Sequence, residues 1–245
     1  MYHLTNRPLF GGAIRIGVPT RWRDVSDVRQ VPDHQEVWQD CTIEDQTPSE
    51  NQGQGNAPIQ IEGTGGVLVV EILGRENGVT DDGAAKFFFD DLADSNGANV
   101  DGVDRRLDFM QTVAVGTAAA TAAARATSTK DTGDGTGDDV NLMPSLNRNA
   151  IACTCIGVQR VSLGKERAIP GQPKSDSQNS RWAVRVELCA LRLEEVETDL
   201  LISLTRPIQN GADKGMDETM EIQQHSQLFL EIIGSFSVEN WDLFG

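Results

Sequence analysis

The sequence predicts an α+β domain with a central, largely antiparallel β-sheet flanked by helices. Strand-like segments outnumber helical ones along the chain. The two longest, 150–163 and 181–193, are separated by a polar, turn-rich connector and read as an antiparallel pair joined by a long loop. Helical periodicity is confined to two stretches, one near 84–97 and one near the C-terminus. The 245 residues are read as a single domain spanning 1–245, long enough to bury most of its apolar surface.

The first strand is read in "GGAIRIGVP", where Ile14, Ile16 and Val18 alternate before Pro19. In "DVSDVRQVPDHQEVW" (24–38), Ser26 is placed to cap a short helical turn through Val28 and Arg29. Pro32 ends that turn by keeping Val31 out of the helical region. "QEVWQD" then reads as a strand, with Val37 on one face and Glu36 and Trp38 on the other. "VLVVEIL" (67–73) is nearly continuous apolar sequence and reads as a central strand. Ala84, Phe88 and Leu92 recur every four residues behind a pair of aspartates, predicting a helix that ends near Gly97. "RRLDFMQTVAV" opens as a strand, and "RWAVRVELCALRL" alternates Trp182, Val184, Val186 and Leu188. "DLLISLTRP" is a third long strand, stopped at Pro207. A final amphipathic helix is expected to start at Asp217, its stripe formed by Ile222, Phe229, Ile232, Ile233 and Phe236. Residues 44–66, 116–140 and 164–180 are polar, Gly-rich or low in complexity and are read as mobile insertions.

Charge narrows the partner. Acidic residues number 37 and basic ones 21, a net charge of −16. That balance argues against nucleic acid, whose binding needs a basic footprint. It also argues against an anionic membrane surface, and it favours a partner with a basic face. No apolar run approaches the roughly 20 residues of a spanning helix, and the first twelve residues carry no apolar signal core. The four cysteines are scattered, and Cys153 and Cys155 lack the spacing and nearby histidine of a zinc site. They read as reduced, buried thiols of an intracellular chain. "DTGDGTGDD" has glycines at 133 and 135 that break the calcium-loop pattern.

Catalytic constellations are missing from the pattern. There is no phosphate-cradling GxxxxGK[ST] and no GxSxG elbow. His3, His34 and His225 stand in unrelated contexts; His34 reads as a turn residue and His225 as a surface or interhelical one. No cofactor or metal is implied. What remains is binding. Asp24, Asp27, Asp33 and Glu36, held between two strands with Arg29 placed to tie one carboxylate, form either a fixed acidic patch or a solvated turn with capping acids.

These residues resemble a known family. "LFGGAI", the 24–38 stretch with its Val-Pro-Asp-x-Gln-Glu-Val core, "VLVVEIL", "AAKFFFDDLADSNG", "ALRLEEVETDLLISLTRP" and the terminal "DLFG" follow one another as in the Mog-type Ran-binding proteins, the Ran guanine nucleotide release factors. The resemblance implies an α/β/α sandwich similar to the photosystem subunit PsbP. It implies binding to the small GTPase Ran, promotion of guanine nucleotide release, support of nuclear protein import, and a nuclear and cytoplasmic location. It implies no covalent chemistry and is read here with a monomer. Carried over residue by residue, the partner-binding set is Asp24, Asp27, Arg29, Asp33, Gln35 and Glu36, with Glu71 on the next strand. The family often has a second acid three residues after the position of Glu71; this chain has Gly74 there, with Glu76 two residues on. Alternatives are a PsbP-like photosynthetic subunit and an acidic scaffold for some other basic protein.

Overall fold

A computed structural model describes residues 3–40, 65–116, 142–162, 181–208 and 225–245. All but a few residues of the three expected insertions, and residues 217–222 of the expected final helix, lie outside this set.

In chain order the elements are β1 (Leu4–Leu9), β2 (Ile14–Pro19), β3 (Trp22–Asp24), β4 (Gln35–Asp40), β5 (Val67–Gly74), α1 (Ala84–Ser95), β6 (Arg105–Val115), β7 (Ala150–Ser162), β8 (Arg181–Leu193), β9 (Thr198–Pro207), α2 (Gln227–Gly234) and β10 (Ser237–Val238). Seven strands form one sheet in the order β3-β4-β5-β9-β8-β7-β6, and three form a second in the order β1-β2-β10. Every pairing within both sheets is antiparallel. The α+β expectation and the expected antiparallel pair of long strands are both realised: Ile151 to Ser162 pair with Arg192 to Arg181.

The large sheet has an apolar layer on each face, because alternate residues of one strand serve opposite sides. Leu188 and Ala190 of β8 join Leu201 of β9 and Ala84, Ala85, Phe88 and Phe89 of α1 in one cluster. Cys189 and Leu191 join Leu200, Ile202 and Leu204, the small sheet's Ile14 and Ile16, and α2 residues Leu228, Phe229, Ile232 and Ile233 in the other. One face is therefore covered by α1, the other by α2 together with the small sheet. Gly157 of β7 lets α1 sit close. A Cβ there would stand 2.5 Å from the Phe89 ring and 2.4 Å from the Arg106 carbonyl.

The last helix begins later than its periodicity suggests. Ser226 has extended backbone (φ −67°, ψ 148°) and its hydroxyl accepts from Phe229 N, capping a helix that starts at Gln227. This cap is anchored in the core. Glu187, completely buried, accepts from both the backbone N–H and the hydroxyl of Ser226, and from Arg206 Nη2 at 2.9 Å. Arg185 Nη2 stands 3.3 Å away. Burial alone would raise the Glu187 pKa; His225, the Ser226 N–H, Arg185 and the Ser226 hydroxyl together pull it down to about 2. His225 is not a surface residue. Its side chain is 5% exposed, with Nδ1 3.5 Å from Glu187 Oε1, and its ring lies against Phe109 and Phe229. Cys153, Cys155 and Cys189 are free and buried, as expected; burial pushes the thiols of Cys155 and Cys189 up.

Candidate partner-binding face

The loop between β3 and β4 carries most of the predicted set. Its turn is capped by Asp24 rather than Ser26: Asp24 Oδ1 accepts from Ser26 N at 2.8 Å. An acidic side chain one residue before the turn reaches the second amide on, and Ser26 is already inside the turn. The N–H groups of Val28 and Arg29 both donate to the Val25 carbonyl, at 3.1 and 3.0 Å, and Gln35 N donates to the Pro32 carbonyl at 2.9 Å. Val25 is the loop's inward plug, 5% exposed. With its backbone fixed in this way the loop presents Asp27, Arg29 and Asp33 to solvent. Arg29 ties none of the loop's carboxylates in an ion pair among the described residues.

Strand register sorts the remaining residues. Gln35 pairs with Glu71 and Glu36 with Val70. Directly opposed residues share a face, so Gln35 and Glu71 lie on one side of the sheet, and Glu36 lies on the other with Trp38. On the first side, Glu71 Oε1 accepts from Gln35 Nε2 at 2.8 Å, with His34 Nε2 at 3.4 Å. The Ile72 N–H donates to the His34 carbonyl at 2.9 Å, tying the loop's exit to β5. On the other side, half-buried Glu36 turns toward the small sheet, and its Oε1 accepts from Phe10 N at 2.7 Å. Phe10 opens the β1–β2 turn with φ +48°, in the left-handed region. Burial raises the Glu36 pKa; the Phe10 N–H opposes that and the nearby Asp24 charge adds to it.

The seven residues therefore gather at one end of the large sheet, but not as one uniform patch. Asp24 and Glu36 each commit a carboxylate oxygen to the backbone. Asp27 and Asp33 are fully presented, and Glu71 is half-buried beside Gln35.

Two features of this end escaped the sequence reading. Arg192 and Asp199 form a buried pair across the β8–β9 hairpin, Nε to Oδ1 2.7 Å. Together they grip the segment after β5: Glu76 N donates to Asp199 Oδ2, and Arg192 donates to the carbonyls of Glu76, Val79 and Thr80. Both residues lie inside the Leu-Arg-Leu and Thr-Asp-Leu-Leu segments of the resemblance, but nothing in the chain marks them as inward-facing partners. The hairpin tip itself adds exposed Glu194, Glu195 and Glu197, with the Glu197 carbonyl accepting from Arg75 N. Gly74 is exposed, and a Cβ there would meet nothing within 4 Å. Glu76 does not project in its stead; its Oε1 turns back to accept from Gly78 N at 3.1 Å.

The chain has the fold of the Saccharomyces cerevisiae Ran-binding protein Mog1p (TM-score 0.56, 19% identity, all of both chains covered). A point variant of protein Mog1 matches equally well, with TM-score 0.56 and 20% identity over 99% of this chain and 100% of that one. A Danio rerio Ran guanine nucleotide release factor is 33% identical over 93 residues, 38% of this chain and 39% of that protein. The chain thus matches well under half of that relative's length. A Dictyostelium discoideum probable Ran guanine nucleotide release factor is 22% identical over 97% of this chain and 95% of its own. A family model described as Ran-interacting Mog1 protein matches residues 7–207, from the β1 strand through β9, and the chain belongs to that family.

Proposed function

We propose that this protein binds the small GTPase Ran and promotes release of its guanine nucleotide, in support of nuclear protein import. It acts as a monomer in nucleus and cytoplasm, by binding alone and without covalent chemistry. The observation that carries this reading is the family match over residues 7–207, which contains every residue of the carboxylate-bearing end of the sheet. Similar proteins from Danio rerio and Dictyostelium discoideum are named as Ran guanine nucleotide release factors, the latter as a probable one.

The geometry supports it in a specific way. Asp27 and Asp33 stand on a loop whose backbone is already fixed, so little ordering is needed on contact. Glu71 is held by Gln35, ready to meet a cationic group. A net charge of −16 attracts a basic partner and raises the association rate. Release follows from linkage: a protein that prefers nucleotide-free Ran by some factor weakens nucleotide binding by that same factor. Glu36 and the Arg192–Asp199 pair are assigned positioning roles, the first for the β1–β2 turn and the second for the segment after Glu71.

The test is a release assay. Ran loaded with a fluorescent guanine nucleotide is mixed with excess unlabelled nucleotide, with and without this protein. Accelerated loss of the label, together with tighter binding to nucleotide-free than to loaded Ran, supports the reading. An unchanged release rate and no binding to either form would refute it.

A further inference from the structure

Val28 is the most exposed of the large apolar side chains among the described residues, 84% against 65% for Val103 and 52% for Val100. A single exposed valine is ordinary on a protein surface. Its setting is not. Val25, three residues earlier in the same turn, is 5% exposed and plugs the loop. Val28 is therefore not needed by the fold. It stands outward between Asp27 and Arg29, both exposed, on backbone pinned by two hydrogen bonds to the Val25 carbonyl. Asp33 and the Gln35–Glu71 pair lie at the far end of the same loop.

We infer that Val28 is the apolar anchor of the partner-binding face, inserted into an apolar depression on Ran that is rimmed by basic groups. Interfaces take this form: a desolvated apolar centre supplies much of the binding energy, and a charged rim excludes water and sets orientation. A β-branched side chain on a fixed turn loses little rotamer freedom on insertion. The inference rests on the Ran reading of this face and goes beyond it, because carboxylates alone would leave the face without such a centre.

Charge and burial make opposite predictions at this position, which gives a decisive experiment. Parent, Val28→Ala, Val28→Asp and Val103→Asp proteins are titrated with purified nucleotide-free Ran, and folding is checked by circular dichroism and thermal midpoint. Val28→Asp adds a carboxylate to an already acidic loop; if only charge mattered, it would tighten binding to a basic partner. We expect it instead to weaken binding at least tenfold, the equivalent of about 1.4 kcal/mol. Val28→Ala should weaken it severalfold, with the salt dependence unchanged. Val103→Asp, at another exposed valine, should bind like the parent. Binding by Val28→Asp equal to or tighter than the parent's overturns the inference and leaves the Ran reading standing. Equal losses in Val28→Asp and Val103→Asp overturn it as well. Failure of the parent itself to bind Ran overturns the Ran reading and this inference together.

Discussion

Arg192 and Asp199 oppose each other across the β8–β9 hairpin with Nε 2.7 Å from Oδ1 and both side chains essentially removed from solvent. Asp199 also accepts from Glu76 N, and Arg192 covers three carbonyls of the following segment. Removing Asp199 leaves the buried Arg192 guanidinium with only the part-exposed Asp81 carboxylate, 3.7 Å from Nη1, and breaking a buried pair in this way costs about 3 kcal/mol. Asp199→Ala should lose that much stability in urea unfolding.

Replacing both members with apolar residues, Arg192→Met with Asp199→Leu, should not recover the loss. Buried pairs can often be exchanged for apolar groups at little cost. Here, however, the carbonyls of Glu76, Val79 and Thr80 and the N–H of Glu76 would lose their partners, and each orphaned group costs about 1–3 kcal/mol if water does not replace the bond. A double variant as stable as the parent in urea would show that those contacts contribute nothing.

Glu187 should govern part of the acid sensitivity. Its pKa is held near 2, below the ordinary carboxylate range. A depressed folded-state pKa gives stability that is fully present above about pH 4.5 and is lost as pH falls toward 2. The shift corresponds to at most about 3 kcal/mol. Glu187→Gln should be less stable at pH 7 and show a flatter stability profile between pH 4.5 and 2. A variant with the parent's slope in that window would rule out this assignment.

Glu36 carries the opposite sign. Burial and the Asp24 charge raise its pKa, so its ionised form is disfavoured in the folded state. Its contribution to stability is present below the ordinary carboxylate pKa and is lost as pH rises through the raised value. Glu36→Gln keeps an acceptor for Phe10 N and removes that loss, so the variant should gain on the parent as pH rises from 4 to 7. Glu36→Ala leaves the Phe10 N–H without its acceptor and should lose about 1–3 kcal/mol. Thermal midpoints at both pH values distinguish these outcomes.

Strands β5, β7, β8 and β9 were legible because apolar runs and two-residue alternation mark buried strands directly. Strand β1 was not read. "LTNRPL" is largely polar and contains Pro8, which a sheet accommodates at an edge, and β1 is the edge of the small sheet. The start of α2 was hidden because the apolar period runs back to Ile222 through polar residues, while the start itself is set by Ser226, which caps the helix and is held by a carboxylate on β8. The inward turn of Glu36 could not be read either. Spacing gave its face alongside Trp38, but what meets that face is the Phe10 turn of the other sheet, a contact between segments 26 residues apart. The same limit applied to His225 and Glu187, each legible as a residue type and each defined by what packs on it. The acidic end of the sheet was legible as composition; its division into presented carboxylates and carboxylates committed to backbone was not.

The proposed role of that end is tested by reversing Asp27 and Asp33, both exposed and claimed by no ion pair or side-chain hydrogen bond among the described residues. Exposed substitutions of this kind change stability by about 0.5 kcal/mol or less, whereas losing charged interface contacts costs about 2–5 kcal/mol of binding when they are desolvated. Asp27→Lys with Asp33→Lys should retain the parent's circular dichroism and thermal midpoint. The rate at which it releases labelled guanine nucleotide from Ran is the measurement. Release falling toward the unassisted rate, with Ran affinity down about a hundredfold, is the expected result; a folded double variant that releases nucleotide as fast as the parent would show that this loop is only a solvated turn.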